Sequence, residues 1–260
     1  MIDLRPVGYV IGLLVAALGA TMLAPMAIGV AYETQTWPVF LEAAIITVLV
    51  GGLIALACAN GVSAGLSIQQ TFLLTTGVWL ALPVFGAIPF ALGETEARFV
   101  DAFFEAMSGM TTTGSTVLTG LDKLPPSLLM WRAMLQWFGG IGIIVVAMVF
   151  LPELRIGGMQ IFRSEGFDTF GKILPRATEI SSRISVIYFL LTGACAMAYF
   201  LAGMSAFDAV CHAMTTVATG GFANTDMSFG AYSPAAQYVA VAFMMLAALP
   251  FVRYVQLLAG

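Results

Sequence analysis

The stretch DAFFEAMSGMTTTG at residues 101–114 returns as DAVCHAMTTVATGG at residues 208–221. Asp101, Ala102, Ala106, Met107, Thr112 and Gly114 recur as Asp208, Ala209, Ala213, Met214, Thr219 and Gly221, all at one offset of 107 residues and without a gap. Each copy sits in an apolar segment of about 10 to 12 residues, half of the roughly 20 that a helix needs to cross a bilayer. A short helix ending in a Thr/Gly loop brings carbonyls and hydroxyls to membrane depth. Such groups are tolerated there only where they are buried in protein or line a water- or ion-filled path.

The composition around these copies is that of an integral membrane protein. The 260 residues are 60% hydrophobic and 9% charged, with a mean hydropathy of +0.97, against roughly 25% charged residues in soluble domains. Cys58, Cys195 and Cys211 lie in apolar or membrane-proximal segments without paired spacing, which suits small packing residues better than disulfides or a zinc site. The apolar run from Val7 to Ala31 follows Arg5. It exceeds the roughly 7 to 15 residues of a signal-peptide core, so a retained first span is expected.

Six segments are long enough to span: Pro6–Ala31, Pro38–Asn60, Gln69–Leu92, Ser127–Leu151, Arg183–Gly203 and Ser233–Leu258. Phe99–Met110 and Ala206–Val217 lie between spans and are expected to re-enter. The fold class is an all-α polytopic membrane protein: six transmembrane helices plus two re-entrant pore helices with filter loops. Basic residues support that topology. Arg155, Arg163, Lys172 and Arg176, with Arg183 at the edge, crowd the longest polar connection, and Arg5 and Arg253 fall on the same side only if the short segments re-enter. The positive-inside rule then places both termini and this loop in the cytoplasm. The outer face near the first short loop collects Glu94, Glu96, Asp101, Glu105 and Asp122, charges that would concentrate cations. Asp101 and Asp208, each at the start of a short helix, are expected to cap it.

The loops themselves read Thr111-Thr112-Thr113-Gly114-Ser115 and Ala218-Thr219-Gly220-Gly221-Phe222. Selecting a dehydrated cation takes many neutral oxygens at once, which carbonyls and Thr hydroxyls provide. Glycine permits the backbone angles that turn successive carbonyls the same way. The partly negative C-terminal end of each short helix suits a cation.

The run Phe103 to Gly114, then Trp131-Arg132 with Gln136-Trp137-Phe138-Gly139-Gly140-Ile141-Gly142, and Thr215 to Phe222 resemble the Trk/Ktr/HKT potassium transporter superfamily, most nearly its bacterial TrkH branch. The resemblance covers essentially the whole chain. It implies an initial helix pair at residues 1–62, a first helix–pore loop–helix unit at 63–152, a cytoplasmic loop at 153–182 and a second unit at 183–260. It assigns ion-binding filter positions to Thr111, Thr112, Thr113 and Gly114 and to Ala218, Thr219, Gly220 and Gly221, with potassium as the substrate and no cofactor in the chain. It implies a bacterial inner-membrane protein, homodimeric when complete, with a cytoplasmic nucleotide-binding regulatory partner and no nucleic acid. The family carries four such units and this sequence two, so the chain is expected to be a fragment, or to be completed by missing units or a second copy.

Arg132 and Gln136, one turn apart on a single helix face, are expected to brace the structure, although an arginine this near a span end can also snorkel. Gly139, Gly140 and Gly142 leave one helix surface nearly bare, as close packing requires. His212, the single histidine, takes the place of Glu105 in the second copy. Without ligand neighbours it suits a hydrogen bond on the short helix rather than a metal site. Glu42 early in the second span can snorkel. No nucleophile–base pair, metal cluster or phosphate loop points to an enzyme. The reading is a potassium-uptake subunit with passive conduction. A secondary transporter with broken helices and a non-conducting assembly subunit are the alternatives.

Overall fold

The computed structural model describes residues 2–61, 66–93, 95, 97–150 and 177–259, and among these every regular element is helical. Glu94, Glu96 and the basic loop residues Arg155, Arg163, Lys172 and Arg176 lie outside the described residues. The chain enters as α1 (Arg5–Thr21) and α2 (Leu23–Ala31), then α3 (Trp37–Cys58). Pro25 has no amide to donate to the carbonyl of Thr21, and the first span breaks at Met22. Small residues join α1 to α3: a Cβ at Gly12 would meet the backbone of Ala55, and one at Gly51 that of Ala16. Gly12 with Ala16, and Gly51 with Ala55, are spaced four apart, so the two backbones approach closely where larger side chains would hold them off.

The first unit follows as α4 (Ile68–Gly86), α5 (Ile88–Leu92), α6 (Phe99–Met110) and α7 (Pro126–Phe150). Ser67 and Gln70 form a reciprocal capping box at the start of α4. Pro89 interrupts the ladder between α4 and α5, and the Trp131 indole donates to the carbonyl of Gly86 at 2.9 Å. A buried cluster of Phe40, Phe90, Ala106, Leu128, Trp131 and Leu135 packs α6 and α7 against the helix pair.

The second unit comprises α8 (Ala177–Leu201), α9 (Ala206–Val217), α10 (Pro234–Ala248) and α11 (Phe251–Ala259). Ile184, Tyr188, Cys195, Tyr199, Ala213 and Phe251 form its own core. Two outcomes differ from the sequence reading. The expected loop 153–182 gives way to helix from Ala177 onward. The span expected over Ser233–Leu258 is two helices, because Leu249 is extended at ψ 144° ahead of Pro250. A residue preceding proline is driven out of the helical region by the ring.

Four helical stretches among the described residues are long and apolar enough to cross a membrane: Arg5–Ala31, Trp37–Cys58, Ile68–Leu92 and Ser182–Leu201. The chain is a multi-pass membrane protein. By contrast α6 and α9, each of 12 residues, reach about 18 Å at 1.5 Å per residue, well short of the roughly 30 Å hydrocarbon core.

Candidate functional site

The short helices α6 and α9 have the bounds expected from sequence, and their C-terminal loops share one backbone. The amides of Thr111 and Ala218 donate to the carbonyls of Met107 and Met214 at 2.9 and 3.1 Å, and those of Thr112 and Thr219 to Gly109 and Thr216 at 2.8 and 2.9 Å. The next amides, Thr113 and Gly220, donate to Ser108 and Thr215 at 2.9 Å, and Gly114 and Gly221 reach the same two carbonyls at 3.5 Å. Each of these backbone bonds has its counterpart 107 residues later. Turning four consecutive amides back onto a helix end requires left-handed backbone. Thr112 and Thr219 stand at φ 55° and 54°, Gly114 and Gly221 at φ 77° and 82°. A Cβ at Gly114 would also fall on the carbonyl oxygen of Gly220.

The consequence is chemical. With the loop amides committed inward, no carbonyl from Thr111 to Gly114 or from Ala218 to Gly221 accepts a hydrogen bond among the described residues. Eight oxygens are left to other partners. The Thr111 hydroxyl donates to the carbonyl of Met107 at 2.8 Å and lies 2.7 Å from that of Thr113.

Helix α7 runs behind both loops. A Cβ at Gly139 would fall on the carbonyl of Met110, at the end of α6. One at Gly140 would stand 3.0 Å from Ala218, where α9 ends, and 2.5 Å from the Tyr188 hydroxyl. Gly142 is looser, its nearest neighbour being Trp79 at 4.0 Å. One and two turns earlier, α7 presents polar groups. Nε of Arg132 donates to Glu105 at 2.8 Å, and its Nη1 donates to the carbonyl of Ala223 at 2.7 Å. The guanidinium also lies 4.3 Å from the centroid of the Phe222 ring. Oε1 of Gln136 accepts from the amide of Phe222 at 3.0 Å. Arg132 thus ties α6 to the segment leaving the second loop. At 1% exposure it does not snorkel.

Glu105 departs from expectation. It is fully buried and ion-paired, so it adds no exposed charge near the first short loop. Besides Arg132, it accepts from the Thr116 hydroxyl at 2.9 and 3.0 Å and from the Val117 amide at 3.1 Å. These bonds seat the segment leaving the first loop. In the second unit the position belongs to His212, whose Nδ1 lies 2.8 Å from the carbonyl of Asp208. The bond to its own short helix is the kind expected from sequence.

Asp101 and Asp208 occupy the first turns of α6 and α9 but not the cap positions, which correct to Arg98 and Ser205. The Ser205 hydroxyl accepts from the Asp208 amide at 3.0 Å and donates to its carboxylate at 2.8 Å. Asp101 pairs instead with an exposed Arg98 at 3.0 Å. Sequence reasoning passed over Asp226, which accepts from the amides of Gly120 and Leu121 at 2.9 and 3.0 Å. Its own amide donates to Asp122 at 3.3 Å. The residues beyond the two loops are therefore clasped together, through partners about a hundred positions apart that neither stretch announces alone.

A multi-pass membrane chain whose two helical units each hold a half-length helix and a matched Thr/Gly loop defines a transporter- or channel-like class. The chain belongs to the family described as TrkH, cation transport protein, whose profile matches residues 36–259. It is 46% identical over 193 residues to the Trk system potassium uptake protein TrkI of Halomonas elongata, covering 74% of this chain and 39% of that protein. It is 39% identical to TrkH of Escherichia coli, covering 98% of this chain and 54% of that protein. Among solved structures, the potassium transporter TrkH of Vibrio parahaemolyticus superposes with a TM-score of 0.83 at 36% identity, over 94% of this chain and 50% of that one. The chain therefore spans about half the length, or less, of the relatives it matches.

Proposed function

We propose that this chain is part of a potassium uptake system, in which ions pass passively along a path lined by Thr111, Thr112, Thr113 and Gly114 and by Ala218, Thr219, Gly220 and Gly221. One observation carries the reading. In both loops all four amides turn back onto the short helix, leaving eight carbonyls without a hydrogen-bond donor among the described residues. A dehydrated monovalent cation is the partner that replaces such donors best, since it takes several neutral oxygens at once. The relatives' names specify potassium.

Arg132 and Gln136 brace this arrangement, and Asp101 and Asp208 place negative charge at the positive ends of α6 and α9. Residues 1–62 serve as a helix pair beside two pore units, joined by a cytoplasmic connection that ends where α8 begins at Ala177. Two loops line only part of a path. The other faces come from further pore units or a second copy, and a cytoplasmic nucleotide-binding subunit regulates the assembly. The protein resides in the bacterial inner membrane with both termini in the cytoplasm.

The break at Leu249–Pro250 is a feature of secondary transporters, whose substrate sites form at interrupted helices in corresponding positions of two repeats. The corresponding residues of the first unit, Gly142 and Ile143, lie inside an unbroken α7, which favours the filter reading.

Growth of potassium-uptake-deficient cells at limiting potassium tests the proposal. Expressed with the pore units that complete the path, the chain is expected to restore growth and Gly114→Asp to abolish it. Unchanged growth with Gly114→Asp would remove the filter assignment.

A further inference from the structure

Positions 105 and 212 are equivalent by the 107-residue offset, and so are positions 117 and 224. In the first unit the Val117 amide donates to the Glu105 carboxylate at 3.1 Å. In the second the Asn224 amide donates to Nε2 of His212 at 3.4 Å. Both units thus hold the segment leaving the loop by a side-chain acceptor on the short helix, with a carboxylate in one and an imidazole in the other. The imidazole's partners fix its tautomer. The carbonyl of Asp208 only accepts, so Nδ1 carries the proton, and the Asn224 amide only donates, so Nε2 carries the lone pair.

We propose that Glu105 and His212 are equivalent loop-positioning residues, and that His212 makes the seat of the second loop dependent on protonation. A protonated imidazole has a donor at both nitrogens. It would set an N–H against the amide of Asn224, three residues after Gly221. Asn224 would then be held only through its side chain, which donates to Oδ1 of Asp208 at 2.8 Å.

The ring is fully buried. The charged and titratable groups facing it are Asp208 from α9, Arg132 from α7, and Tyr232, whose ring stands 4.8 Å away and on which Cys211 acts. Asp122 of the first unit's outer segment acts in turn on Tyr232. Phe229, at 5.3 Å, closes the remaining side. At the matching position of the first unit, Glu105 keeps an acceptor oxygen for the Val117 amide in either protonation state. Acidification is therefore expected to loosen one loop and spare the other. That this changes ion passage rests on the filter reading above; the seat itself does not.

His212 is the sole histidine of the chain, which makes the test clean. The chain labelled with ¹⁵N-histidine in lipid nanodiscs should show one imidazole at about pH 8, with a proton on Nδ1 and none on Nε2. The opposite tautomer would overturn the proposal. Burial, with the Arg132 charge nearby, holds the ring below the ordinary imidazole range. The pH is therefore lowered to about 4, roughly two units under the free value, where Nε2 should be protonated. A ring still neutral there would overturn the proton dependence. After correction for intrinsic rates, exchange of the Asn224 amide should then rise roughly fivefold to tenfold, as loss of one hydrogen bond predicts, while Val117 stays unchanged. His212→Gln places a non-titrating oxygen at the reach of Nε2 and should keep Asn224 protected at both pH values. Exchange at Asn224 that follows the intrinsic rate alone, or a Gln variant that still loosens in acid, would refute the seat. Rubidium flux into liposomes separates the two readings. An assembly that includes the further pore units and shows no flux at any pH, while this chain keeps the expected tautomer and exchange, removes the filter reading and leaves the positioning role standing.

Discussion

Replacing Arg132 with methionine tests the linkage between the units most directly. The guanidinium has 1% exposure and its partner carboxylate none, so bulk solvent reaches neither charge. Arg132→Met leaves Glu105 with only the Thr116 hydroxyl and the Val117 amide, and frees the carbonyl of Ala223. Removing one member of a buried ion pair costs about 3–5 kcal/mol, because the remaining charge stays in a poor solvent. At roughly 2–4 °C per kcal/mol for a chain of this size, melting should fall by about 6–20 °C. Adding Glu105→Gln removes the stranded charge while keeping a side-chain oxygen for Val117. The double variant should recover at least half of the loss, a coupling of about 2 kcal/mol or more. Tryptophan fluorescence of the four proteins during heating in detergent completes the cycle. A double variant that loses the sum of the two single losses would show that the pair carries no such coupling. An Arg132→Met protein melting within about 2 °C of wild type would show that the buried-charge argument does not apply here.

The packing and the caps each give a paired comparison. Gly139→Val should cost about 1–3 kcal/mol or more, since its Cβ falls on the Met110 carbonyl, whereas Gly142→Ala, with 4.0 Å to its nearest neighbour, should be almost silent; thermal melts of both decide it. Ser205→Ala should cost about 1 kcal/mol for loss of a helix cap. Arg98→Ala should leave the melting temperature unchanged because that pair is solvent-screened, with 83% of the arginine side chain exposed.

The repeated stretch made the short helices legible to the residue, because a change from apolar run to Thr/Gly loop marks a helix end in any context. The loop residues identical between copies, Thr112 with Thr219 and Gly114 with Gly221, are the four that adopt positive φ. Backbone geometry, not side-chain chemistry, accounts for what matches. The breaks at Met22, Ala87 and Leu249 were visible as Pro25, Pro89 and Pro250 but were outweighed by hydropathy, which measures length and not continuity. The spacing of Gly12 with Ala16 and of Gly51 with Ala55 likewise announced the close contact of α1 and α3. The partners of Arg132, Glu105 27 residues away and Ala223 91 away, were not legible. They depend on where α7 passes, which local propensity does not encode. Glu105 was misjudged as a mouth charge for the same reason, since burial is decided by the partner and not by residue type.

Helix α7 has one consequence for the behaviour of the molecule as a mechanism. It abuts the end of α6 at Gly139 and the end of α9 at Gly140, so a single rigid rod is the common abutment of two loops more than a hundred residues apart. A small tilt of that rod displaces both floors together, and neither loop can settle without loading the other. A ligand beside one loop that shifts α7 would also shift the floor of the second, and any such coupling runs equally in both directions.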